Sequence, residues 1–563
     1  MNFLQDQHVL ILGLGTSGLA MARWCVRMGA KVTVADTRDT PPGLGTLQGE
    51  VPEARFVPGT FTASLVEGTD VRAVFRSPGL KPGEVAPVMD AAVAQGLWTG
   101  GELDLFARAL QVLKDERGYA PHVLAVTGTN GKTTVTALTG QLVERAGKRV
   151  AVAGNIGPTL LDTLTEAIRD LPEKTVAEAV EEDIAEAEGD TATELIADQT
   201  EEEPVAEPES EAAASDEAIM PAIEVPPAPP VDPAIAVLPE VWVLELSSFQ
   251  LDGVKGFEPT AAALLNITQD HLDWHGDMQA YAAAKSRVFG SRGAMLLNRE
   301  DPLVMAMQPP SRAKNDKTPS RVVVTFGADM PARPGDFGIE TVNGMAWLVR
   351  AHEADETRRK RRNEEEEELH IQRLMPVDAL RIHGRHNAVN ALSALALAVS
   401  AGCQLAPMLY GLREYRGEPH RVEPVGVVHD VEYFDDSKGT NVGATVAALQ
   451  GIGADRRVVV ILGGEGKGQD FSPLAAPVQR FARAAVLIGR DAPIIRAALE
   501  GTGVTLLDAT SMEDAVAQAT QRAHAGDAVL MSPACASFDM FDNYPHRGRV
   551  FRAAVEALQE EAL

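Results

Sequence analysis

The hydrophobic pattern along the chain predicts three blocks of buried strands and amphipathic helices. Short apolar runs that end in glycine turns predict parallel strands, and the amphipathic stretches after them predict helices. The first block begins with HVLILG at 8–13, the second with HVLAVTG at 122–128, and the third contains RRVVVILGG at 456–464. We therefore predict an α/β fold with a Rossmann-like N-terminal domain, a central domain with a parallel sheet like that of P-loop ATPases, and a Rossmann-like C-terminal domain.

The length of the chain, 563 residues, exceeds what one hydrophobic core supports, which agrees with several domains. Boundaries placed between the blocks predict domains at 1–110, 111–417 and 418–563. Two segments of the central domain, at about 171–240 and 351–372, do not follow the pattern. We interpret both as insertions.

The insertions also carry unusual charge. Residues 171–240 hold 21 Asp and Glu against one basic residue, and ten prolines but no aromatic residue. This composition cannot bury enough apolar surface to offset its ordering entropy, which predicts disorder. The window accounts for most of the net charge of −29, so that charge says little about the rest. In the second insertion, RRKRR at 358–362 suggests nucleic acid, but EEEEE at 364–368 would repel phosphates. We predict a solvated helix or hairpin there.

The scattered cysteines and the lack of targeting signals predict a reducing compartment inside the cell. Cys25, Cys403 and Cys535 are scattered and give neither a disulfide framework nor metal-ligand spacing, which fits a reducing environment. No basic region followed by a long apolar run opens the chain, and the apolar helix candidate at 391–401 is too short for a bilayer. We expect a cytoplasmic protein with no membrane insertion and no nucleic-acid partner.

The glycine turn of the first block is a candidate phosphate site. Gly13-Leu-Gly15-Thr-Ser-Gly18 follows a strand and opens a helix, and the next strand, KVTVAD, ends at Asp36. Backbone N–H groups at such a helix start face a diphosphate, and GxGxxG with a following acid first suggests NAD. A glycine turn that only packs the helix on the strand is the alternative.

The second block carries a phosphate-binding loop, VTGTNGKTT at 126–134. It departs from the usual P-loop pattern in having Val126 where the first glycine is expected. Gly128 and Gly131 let the backbone bend around phosphate oxygens. Lys132 can reach the terminal phosphates, and the Thr133 hydroxyl can bind Mg²⁺. The loop therefore predicts binding of a nucleoside triphosphate.

Acidic and histidine side chains downstream of this loop are candidate metal ligands. The strand candidate VWVLE ends at Glu245, and NITQDHLDWHG places Asp270, His271, Asp273 and His275 within six residues. Alone, that cluster would suit zinc. Beside a phosphate loop, its hard oxygen ligands suit magnesium better.

Two lysines in candidate loops of the third block invite anionic partners, and a third lies on a helix of the second block. In the third block, VEYFDDSKGTN at 431–441 contains Lys438, and GGEGKGQDF at 463–471 contains Lys467. A solvated loop lysine is the alternative for each. Lys285 lies on the helix candidate AAAKSRVF, where a plain surface lysine is the simplest interpretation.

Taken together, the motifs resemble those of the Mur ligases, cytoplasmic ATP-dependent enzymes that build the peptide stem of peptidoglycan. TGTNGKTT, GNIG, ELSSFQL, NITQDHLDWHG, YAAAKSR, GRHNAVNALSALA, EPHR, DDSKGTN, LGGEGKG and SPACASFD occur in the order of that family. The N-terminal motifs GLGTSGLA, VADTRDTPPGL, SPGL and GELDLF resemble those of the members that add D-glutamate. The resemblance covers nearly the whole chain outside the two insertions.

The resemblance implies an activity and its substrates. In this family ATP phosphorylates a substrate carboxylate to an acyl phosphate, and the amine of an amino acid then displaces phosphate. The substrates would be UDP-N-acetylmuramoyl-L-alanine and D-glutamate, with ATP and two Mg²⁺ ions, in a monomeric enzyme. The protein's task is then to position the reactants and to neutralise charge during phosphoryl transfer.

The resemblance also implies catalytic and nucleotide-binding residues. Lys285 matches a lysine that the family carbamylates, and a carbamate turns this cation into an anionic oxygen ligand. The residues implied in catalysis are Lys132, His271, Lys285 and Lys438. The implied metal ligands are Thr133, Glu245, His271 and carbamylated Lys285. The positions that match ATP contacts are Gly128, Thr129, Asn130, Gly131, Lys132, Thr133, Thr134, Asn387, Asn390, Arg421 and Asp436.

Positions that match substrate contacts divide among the domains. The sugar nucleotide would contact Thr16, Ser17, Asp36, Thr37, Arg38, Ser77 and Gly79 in the first domain, and Asn155, Ser247 and Gln250 in the second. The incoming glutamate would contact Thr440, Lys467, Ser537 and Tyr544, and a lysine with hydroxyls suits its two carboxylates. The chain departs from the residues expected in the family at Thr133, Gly439, Phe538 and Tyr544.

Other classes of protein compete with this interpretation. A nicotinamide-dependent dehydrogenase would use the first glycine turn but leaves the phosphate loop unexplained. A P-loop kinase or GTPase would explain the loop but not a glutamate site, and the chain has no N-K-x-D motif. The nearest alternative is a sister ligase that adds L-alanine to the nucleotide sugar, or glutamate to folate. The motifs DTR at 36–38 and SPG at 77–79 argue against it.

Overall fold

A computed structural model describes residues 3–155, 157–171, 232–310, 321–353, 369–382 and 384–561 of the chain. Their strands form three sheets, one for each predicted block, connected mainly by helices. The predicted α/β fold with three sheet-forming regions is confirmed.

The first sheet is parallel and carries the first glycine turn. Its elements are β1 (His8–Leu12), α1 (Thr16–Arg27), β2 (Lys31–Asp36), α2 (Leu44–Glu50), β3 (Arg55–Pro58), β4 (Val71–Arg76), α3 (Pro82–Ala94), β5 (Trp98–Gly100) and α4 (Glu102–Arg117). The strand order is β3-β2-β1-β4-β5. The chain crosses over between β1 and β4, so the glycine turn after β1 lies at a topological switch point, where open α/β sheets bind ligands.

The second sheet is larger and mixed. Its elements are β6 (His122–Thr127), α5 (Lys132–Arg145), β7 (Val150–Gly154), α6 (Leu160–Ala167), β8 (Val241–Glu245), α7 (Ser248–Leu251), β9 (Ala261–Leu264), α8 (Leu272–His275), α9 (Met278–Ser286), β10 (Ala294–Asn298), α10 (Pro302–Met305), β11 (Val323–Phe326), β12 (Phe337–Val342), β13 (Met345–Glu353), β14 (Leu369–Pro376), α11 (Arg385–Ser400) and α12 (Leu405–Glu414). The strand order is β14-β13-β12-β11-β10-β9-β6-β8-β7. Strand β6 lies between parallel strands β8 and β9, so the phosphate loop emerges between their carboxyl ends.

The third sheet belongs to the C-terminal part of the chain. Its elements are β15 (Glu423–Val428), β16 (Val431–Asp435), α13 (Val442–Gly453), β17 (Val458–Gly463), α14 (Ala475–Phe481), β18 (Ala482–Ile488), α15 (Ala492–Leu499), β19 (Thr505–Asp508), α16 (Met512–Arg522), β20 (Ala528–Met531) and α17 (Tyr544–Glu561). The strand order is β15-β16-β20-β17-β18-β19, parallel except for the pair β15–β16. The loops after β16, β17 and β20 therefore meet at one edge.

Hydrophobic packing joins the first two sheets. One continuous cluster runs from Leu4 and Trp24 through Phe106 on α4 to Trp242 on β8. The rings of Phe106 and Trp242 meet edge-on with centroids 5.1 Å apart. The C-terminal part has its own clusters on the two faces of its sheet. The predicted boundary at 110 falls inside α4, and the one at 418 falls between α12 and β15.

The predicted insertions lie only partly within the described residues. Most of the acidic segment, 172–231, is outside them, so the prediction of disorder is not addressed there. The segment ends earlier than predicted, because a 3-10 helix spans Pro233–Val237 and Leu238 is buried. Arg117 Nη1 also donates to Asp232 Oδ2 at 2.8 Å. Apolar burial and an ion pair thus give 232–240 a defined structure.

The second insertion joins two strands of a hairpin. Strands β13 and β14 pair in antiparallel fashion up to Glu353 and Leu369. Residues 351–353 and 369–372 are therefore part of the sheet rather than of an inserted loop. The charged run at 358–368 lies outside the described residues.

Candidate active site

The phosphate loop is held open by its glycines and its neighbours. Gly131 lies in the left-handed region with φ +84°, and a Cβ there would lie 2.9 Å from Asn390 Oδ1. A side chain at this position is therefore excluded both by the backbone conformation and by space. The loop leads directly into α5, and the N–H groups in the first turn of a helix can bind a phosphate. Within the loop, the N–H groups of Thr129 and Asn130 instead donate to the carbonyl and the Oδ1 of Asn266, at 2.9 Å and 2.8 Å.

Two lysines converge on this loop. Lys132 Nζ donates to the carbonyls of Gly128 and Thr129, both at 2.9 Å. Lys285 Nζ donates to the same Gly128 carbonyl at 2.9 Å. Lys285 is only 1% exposed, so it is not a plain surface lysine. Burial lowers the pKa of both ammonium groups, and for Lys285, whose pKa falls well below its usual range, the neighbouring Lys132 cation adds to the effect.

Two carboxylates face these lysines. Glu245, at the end of β8, is 3% exposed and accepts a hydrogen bond from Asn155 Nδ2 at 3.1 Å. Asp270 follows β9 and accepts from the backbone N–H of His271 at 2.9 Å. The negative charges of Glu245 and Asp270 both raise the pKa of Lys132 and Lys285, against the effect of burial. Cations and hard oxygen donors thus surround the loop together, which suits a nucleotide phosphate with a divalent ion.

The cluster Asp270, His271, Asp273 and His275 does not form one ligand set. The backbone of His271 lies in the left-handed region with φ 54°, and its Nε2 is 3.6 Å from Asp270 Oδ2. Asp273 instead pairs with Lys81 Nζ at 3.5 Å, and His275 Nε2 bonds Ser248 Oγ at 2.9 Å. Burial lowers the pKa of His271, and lowers that of His275 to about 4. The zinc alternative is therefore unsupported, and Asp270 and His271 alone remain near the lysines.

A cleft between the second and third sheets contains the residues predicted to bind ATP. Its volume is about 270 Å³, and Asn390 Nδ2 donates to Asn387 Oδ1 at 3.1 Å on one wall. The predicted residues that line it are Asn130, Gly131, Thr134, Asn387, Asn390, Arg421, Asp436 and Lys438. Asn130 and Gly131 bring the phosphate loop to the wall of this cleft, directly before Lys132 in sequence.

The C-terminal wall supplies charged groups to the same cleft. Arg421 donates directly to Thr133 Oγ1 across the boundary between the two sheets. Asp436 is 6% exposed and accepts from Ser532 Oγ at 2.6 Å, and burial raises its pKa to about 7. Lys438 Nζ donates to Tyr544 Oη at 3.0 Å and lies 4.2 Å from the centre of that ring.

The other predicted glutamate contacts lie in loops near Lys438. The backbone N–H of Thr440 donates to the Lys438 carbonyl at 2.8 Å. Ser537 is buried at the carboxyl edge of the third sheet. Lys467 is exposed in the left-handed region, and its charge lowers the pKa of His271.

The first glycine turn has a different chemistry. Asp36 is 2% exposed and accepts from Leu14 N at 2.8 Å, and from Arg38 Nε and Nη2, both at 2.8 Å. The hydrogen-bonded guanidinium lowers the pKa of Asp36 to about 2. Ser77 is buried beside the turn. The remaining predicted residues, Thr16, Ser17, Thr37, Arg38 and Gly79, are exposed or half-buried at its rim.

The central-domain residues predicted to bind the sugar nucleotide are engaged locally. Ser247 caps α7, and both its N–H and its Oγ donate to Gln250 Oε1 at 3.0 Å. Gln250 also lines a cavity of about 360 Å³ between the first two sheets, together with Arg76 and Asp252. Asn155 is exposed beside Glu245. The structure thus places Gln250 at a cavity beside the first domain, and Asn155 at the surface next to Glu245.

Three residues of the site were missed by the sequence predictions. Tyr281 bonds Thr129 Oγ1 at 3.2 Å and lies under Lys285, four residues later on α9. Asn266 bonds the backbone of Asn130, and Asn441 bonds its side chain. The helical spacing of Tyr281 and Lys285 is a signal that was available in the sequence. The asparagine contacts cross between strand ends and domains, which local pattern does not reveal.

Comparisons with known proteins identify the family. The models described as Mur ligase middle domain, Mur ligase, glutamate ligase domain, and Mur ligase MurD-like, N-terminal domain match residues 126–197 with 236–398, 420–535, and 7–100. The UDP-N-acetylmuramoylalanine--D-glutamate ligase of Albidiferax ferrireducens is 62% identical, covering 100% of this chain and 98% of the relative. The enzyme of the same name from Polaromonas sp. is 54% identical, covering 100% and 99%. A solved UDP-N-acetylmuramate-alanine ligase from Thermotoga maritima has a TM-score of 0.49 at 17% identity, covering 99% of both chains.

The chain belongs to the Mur ligase family. A phosphate loop contacted by half-buried Lys132 and buried Lys285, with Arg421 of the C-terminal α/β domain beside it, agrees with that membership. Within the described ranges, every helix is too short or too polar to span a bilayer.

Proposed function

We propose that this protein is an ATP-dependent ligase that adds D-glutamate to UDP-N-acetylmuramoyl-L-alanine. Relatives named for D-glutamate ligation match the whole chain at 50–62% identity, and the N-terminal region matches the MurD-like model. The observation that carries the proposal is the cleft that Asn130 and Gly131 of the phosphate loop line together with Arg421 and Lys438 of the C-terminal region. Arg421 also donates to Thr133 of the same loop.

The first step transfers the γ-phosphoryl group to the carboxylate of the L-alanyl residue. A carboxylate oxygen forms the new bond to phosphorus, the bond to the bridging oxygen of ATP breaks, and ADP leaves with the electron pair. Lys132 and Arg421 flank the loop, where they would neutralise charge on the phosphates during transfer. Asn387 and Asn390 would hold the adenine, and Asp436 would accept from the ribose at the C-terminal wall.

The second step forms the amide bond. The free amine of D-glutamate attacks the carbonyl carbon of the acyl phosphate, and the tetrahedral intermediate collapses with loss of inorganic phosphate and a proton. Lys438 is held by Tyr544 at the edge that also carries Thr440, Lys467 and Ser537. These cations and hydroxyls would orient the two carboxylates of glutamate so that its amine points at the phosphate loop.

Magnesium fits the donor set beside the loop. We propose that Thr133 and Glu245 hold one ion and that His271 and carbamylated Lys285 hold a second. Bound Mg²⁺ would supply charge neutralisation at the phosphate oxygens. Burial lowers the pKa of His271, which favours the neutral imidazole that can act as a ligand. Lys285 lies buried against Gly128 with Lys132 beside it, which favours the neutral amine; that amine adds CO₂ and loses a proton to form the carbamate.

The first domain would bind the sugar nucleotide. Thr16, Ser17, Thr37, Arg38 and Gly79 lie around the mouth of the glycine turn, and Ser77 and Asp36 hold its shape. Asn155, Ser247 and Gln250 would contact the part of the substrate that reaches the central domain. We further propose that the protein works as a monomer in the cytoplasm, where its three free, buried cysteines stay reduced.

Phosphate release tests this function. We expect purified protein with ATP, Mg²⁺ and UDP-N-acetylmuramoyl-L-alanine to release phosphate when D-glutamate is added. L-glutamate, D-aspartate and L-alanine serve as matched controls and should give only background release. Release with L-alanine on the unsubstituted nucleotide sugar, or with a folate and glutamate, would instead identify a sister ligase.

A further inference from the structure

Asn441 is a buried residue at the start of helix α13 with no role in the mechanism above. It ends the loop that carries Asp436, Lys438 and Thr440, and it is 5% exposed. Its Oδ1 accepts from the backbone N–H of Ala444 at 2.9 Å, which caps the helix. The capping bond fixes the orientation of the amide, because only the oxygen can accept from that N–H.

The other end of the same amide crosses to the central domain. Asn441 Nδ2 donates to Asn130 Oδ1 at 3.0 Å and to Asp270 Oδ2 at 3.3 Å. Asn130 Nδ2 donates back to Asn441 Oδ1 at 3.2 Å. The two asparagines thus form a closed amide pair between the C-terminal domain and the phosphate loop, with the Asp270 carboxylate as a third partner.

This pair is rigidly connected to the phosphate loop. The backbone N–H of Asn130 donates to Asn266 Oδ1 at 2.8 Å, and Asn266 Nδ2 donates to the Asn130 carbonyl at 3.1 Å. The first turn of α13 also lies very close to this loop. A Cβ on Gly443 would lie 3.0 Å from Thr268 Oγ1 and 3.2 Å from Asn130 Nδ2. Docking of α13 therefore requires a small residue at 443 and places Asn441 directly over Asn130.

We propose that Asn441 is a positioning residue that couples docking of the C-terminal domain to the geometry of the phosphate loop. When the domain docks, the amide pair holds Asn130 and Asp270 in place, beside Lys132 and the nucleotide phosphates. The same movement brings Lys438 and Arg421 to the cleft. This inference rests on the proposed ligase function for its kinetic consequences, but not for its effect on nucleotide binding.

A purely structural role for Asn441 would need only its oxygen. Serine, threonine and aspartate cap helices as well as asparagine does, because capping uses an acceptor alone. The Nδ2 group contributes nothing to the cap, and both of its acceptors belong to the central domain. The choice of asparagine is thus explained by the crossing bonds rather than by the helix.

The test removes the crossing bonds and keeps the cap. Asn441→Ser retains an acceptor for Ala444 but has no group that reaches Asn130. Asn441→Asp is isosteric, caps α13 and lacks the donor, so it serves as a second variant. Ser511 caps α16 by accepting from Asp514, far from the cleft, and Ser511→Ala is the matched control for loss of a cap. Binding of a non-hydrolysable ATP analogue with Mg²⁺ is measured by calorimetry, and kcat and KM are measured by phosphate release.

We expect both Asn441 variants to bind the analogue about tenfold more weakly, as the loss of two or three hydrogen bonds of ordinary strength implies. Their kcat should also fall, on the order of tenfold, while their thermal midpoints stay near that of the parent. Ser511→Ala should show the reverse pattern, a lower midpoint with unchanged binding and kcat. In an Asn130→Ala background, Asn441→Ser should cause a smaller further loss than in the parent, because only the bond to Asp270 is then left to remove.

Unchanged binding and turnover in both Asn441 variants would overturn the proposal. So would equal losses with and without Asn130, because independent effects leave no coupling to explain. A parent protein that binds the analogue but releases no phosphate with D-glutamate would contradict the ligase function instead. The binding arm of the experiment would still decide the role of Asn441 in that case.

Discussion

The two glycine turns of this chain, at 13–18 and 128–131, share a setting but differ in what faces them. Each follows a central parallel strand and opens a helix. At the first turn, the Asp36 carboxylate accepts hydrogen bonds from Leu14 and Arg38 of its own domain. At the second, Lys132 and Lys285 share the Gly128 carbonyl, and a side chain from another domain, Arg421, reaches Thr133.

The difference shows that glycine spacing determines the path of the backbone but not the ligand. The first turn alone suggested NAD, because an acid follows it at the usual place. In the structure that acid is already paired with Arg38, whose guanidinium is half exposed at the rim. The second turn departs from the P-loop pattern at Val126, yet the cations around it suit a triphosphate. Neighbouring charge, rather than the glycines, distinguishes the two sites.

The largest effect is expected for mutation of Lys132, which should impair the second glycine turn without affecting the first. Lys132→Ala should lower kcat on the order of a thousandfold, because loss of one charge stabiliser in phosphoryl transfer costs several kcal/mol. Binding of UDP-N-acetylmuramoyl-L-alanine, measured by calorimetry, should be unchanged, because that site lies in the first domain. Arg38→Ala is the converse variant, with weaker sugar-nucleotide binding and a kcat close to the parent. Wild-type turnover in Lys132→Ala would contradict the assignment of the phosphate site.

Asp436 should make stability depend on pH. Burial raises its pKa to about 7 from a usual value of 3.8, so the folded state retains a proton that the unfolded state has lost. Stability contributed by this group is therefore lost as pH rises toward 7, by about 1.4 kcal/mol per pH unit. Between pH 5.5 and 7, the free energy of unfolding of the parent relative to Asp436→Asn should fall by about 2 kcal/mol. Denaturant titrations of both proteins at several pH values measure this difference in the free energy of unfolding. A difference that does not change with pH would refute the buried-acid interpretation.

The stability contributed by Asp36 should depend on pH with the opposite sign to that of Asp436. Arg38 lowers its pKa to about 2, so its stabilising effect is present above pH 4 and is lost only in stronger acid. At pH 7, Asp36→Asn should therefore reduce the free energy of unfolding by about 1.5 kcal/mol, a modest figure because solvent screens the half-exposed Arg38. Asp39→Asn, at an exposed neighbouring position, should have no effect. Equal values for the two variants would show that the Asp36 pair contributes nothing.

The final prediction concerns the acidic segment at 172–231. Replacing 172–231 with about ten Gly and Ser residues shortens a closed loop by between two and three doublings of length, which stabilises the fold by about 1.5 kcal/mol. Ligation should persist. A longer deletion that also removes 232–238 should instead destabilise the protein, because it removes the Asp232–Arg117 pair and buried Leu238. The two deletion variants are compared by thermal melts and by phosphate release. Loss of ligation in the shorter deletion would show that the segment has a functional role.

Local pattern predicted much of this molecule. Strand HVLAVT and the helix after it follow from the apolar run, the glycines and the amphipathic stretch, and they lie at His122–Thr127 and Lys132–Arg145 in the structure. The positions of Lys132, Thr133 and Glu245 follow from the rule that parallel strands end at one edge. The family resemblance added Arg421 and Lys438, which lie hundreds of residues from the loop they face.

What sequence could not predict depends on side-chain direction and on contacts between domains. Asp273 and His275 lie close to His271 in sequence, but the left-handed conformation of His271 and the short helix α8 direct them to Lys81 and Ser248. Asn441 was missed because the sequence does not distinguish an asparagine that only caps a helix from one that also bonds another domain. The end of the acidic segment was misplaced because Ile235 and Leu238 are too few to give a periodic signal.

The hydrophobic cluster shared by the first two sheets has a consequence for cooperativity. Because Phe106 and Trp242 belong to one continuous core, those two sheets should melt together as a single unit. The C-terminal sheet has separate cores and should melt on its own, so calorimetry should resolve two endotherms. A nucleotide that bridges the cleft binds only when both units are folded and should draw the two endotherms together.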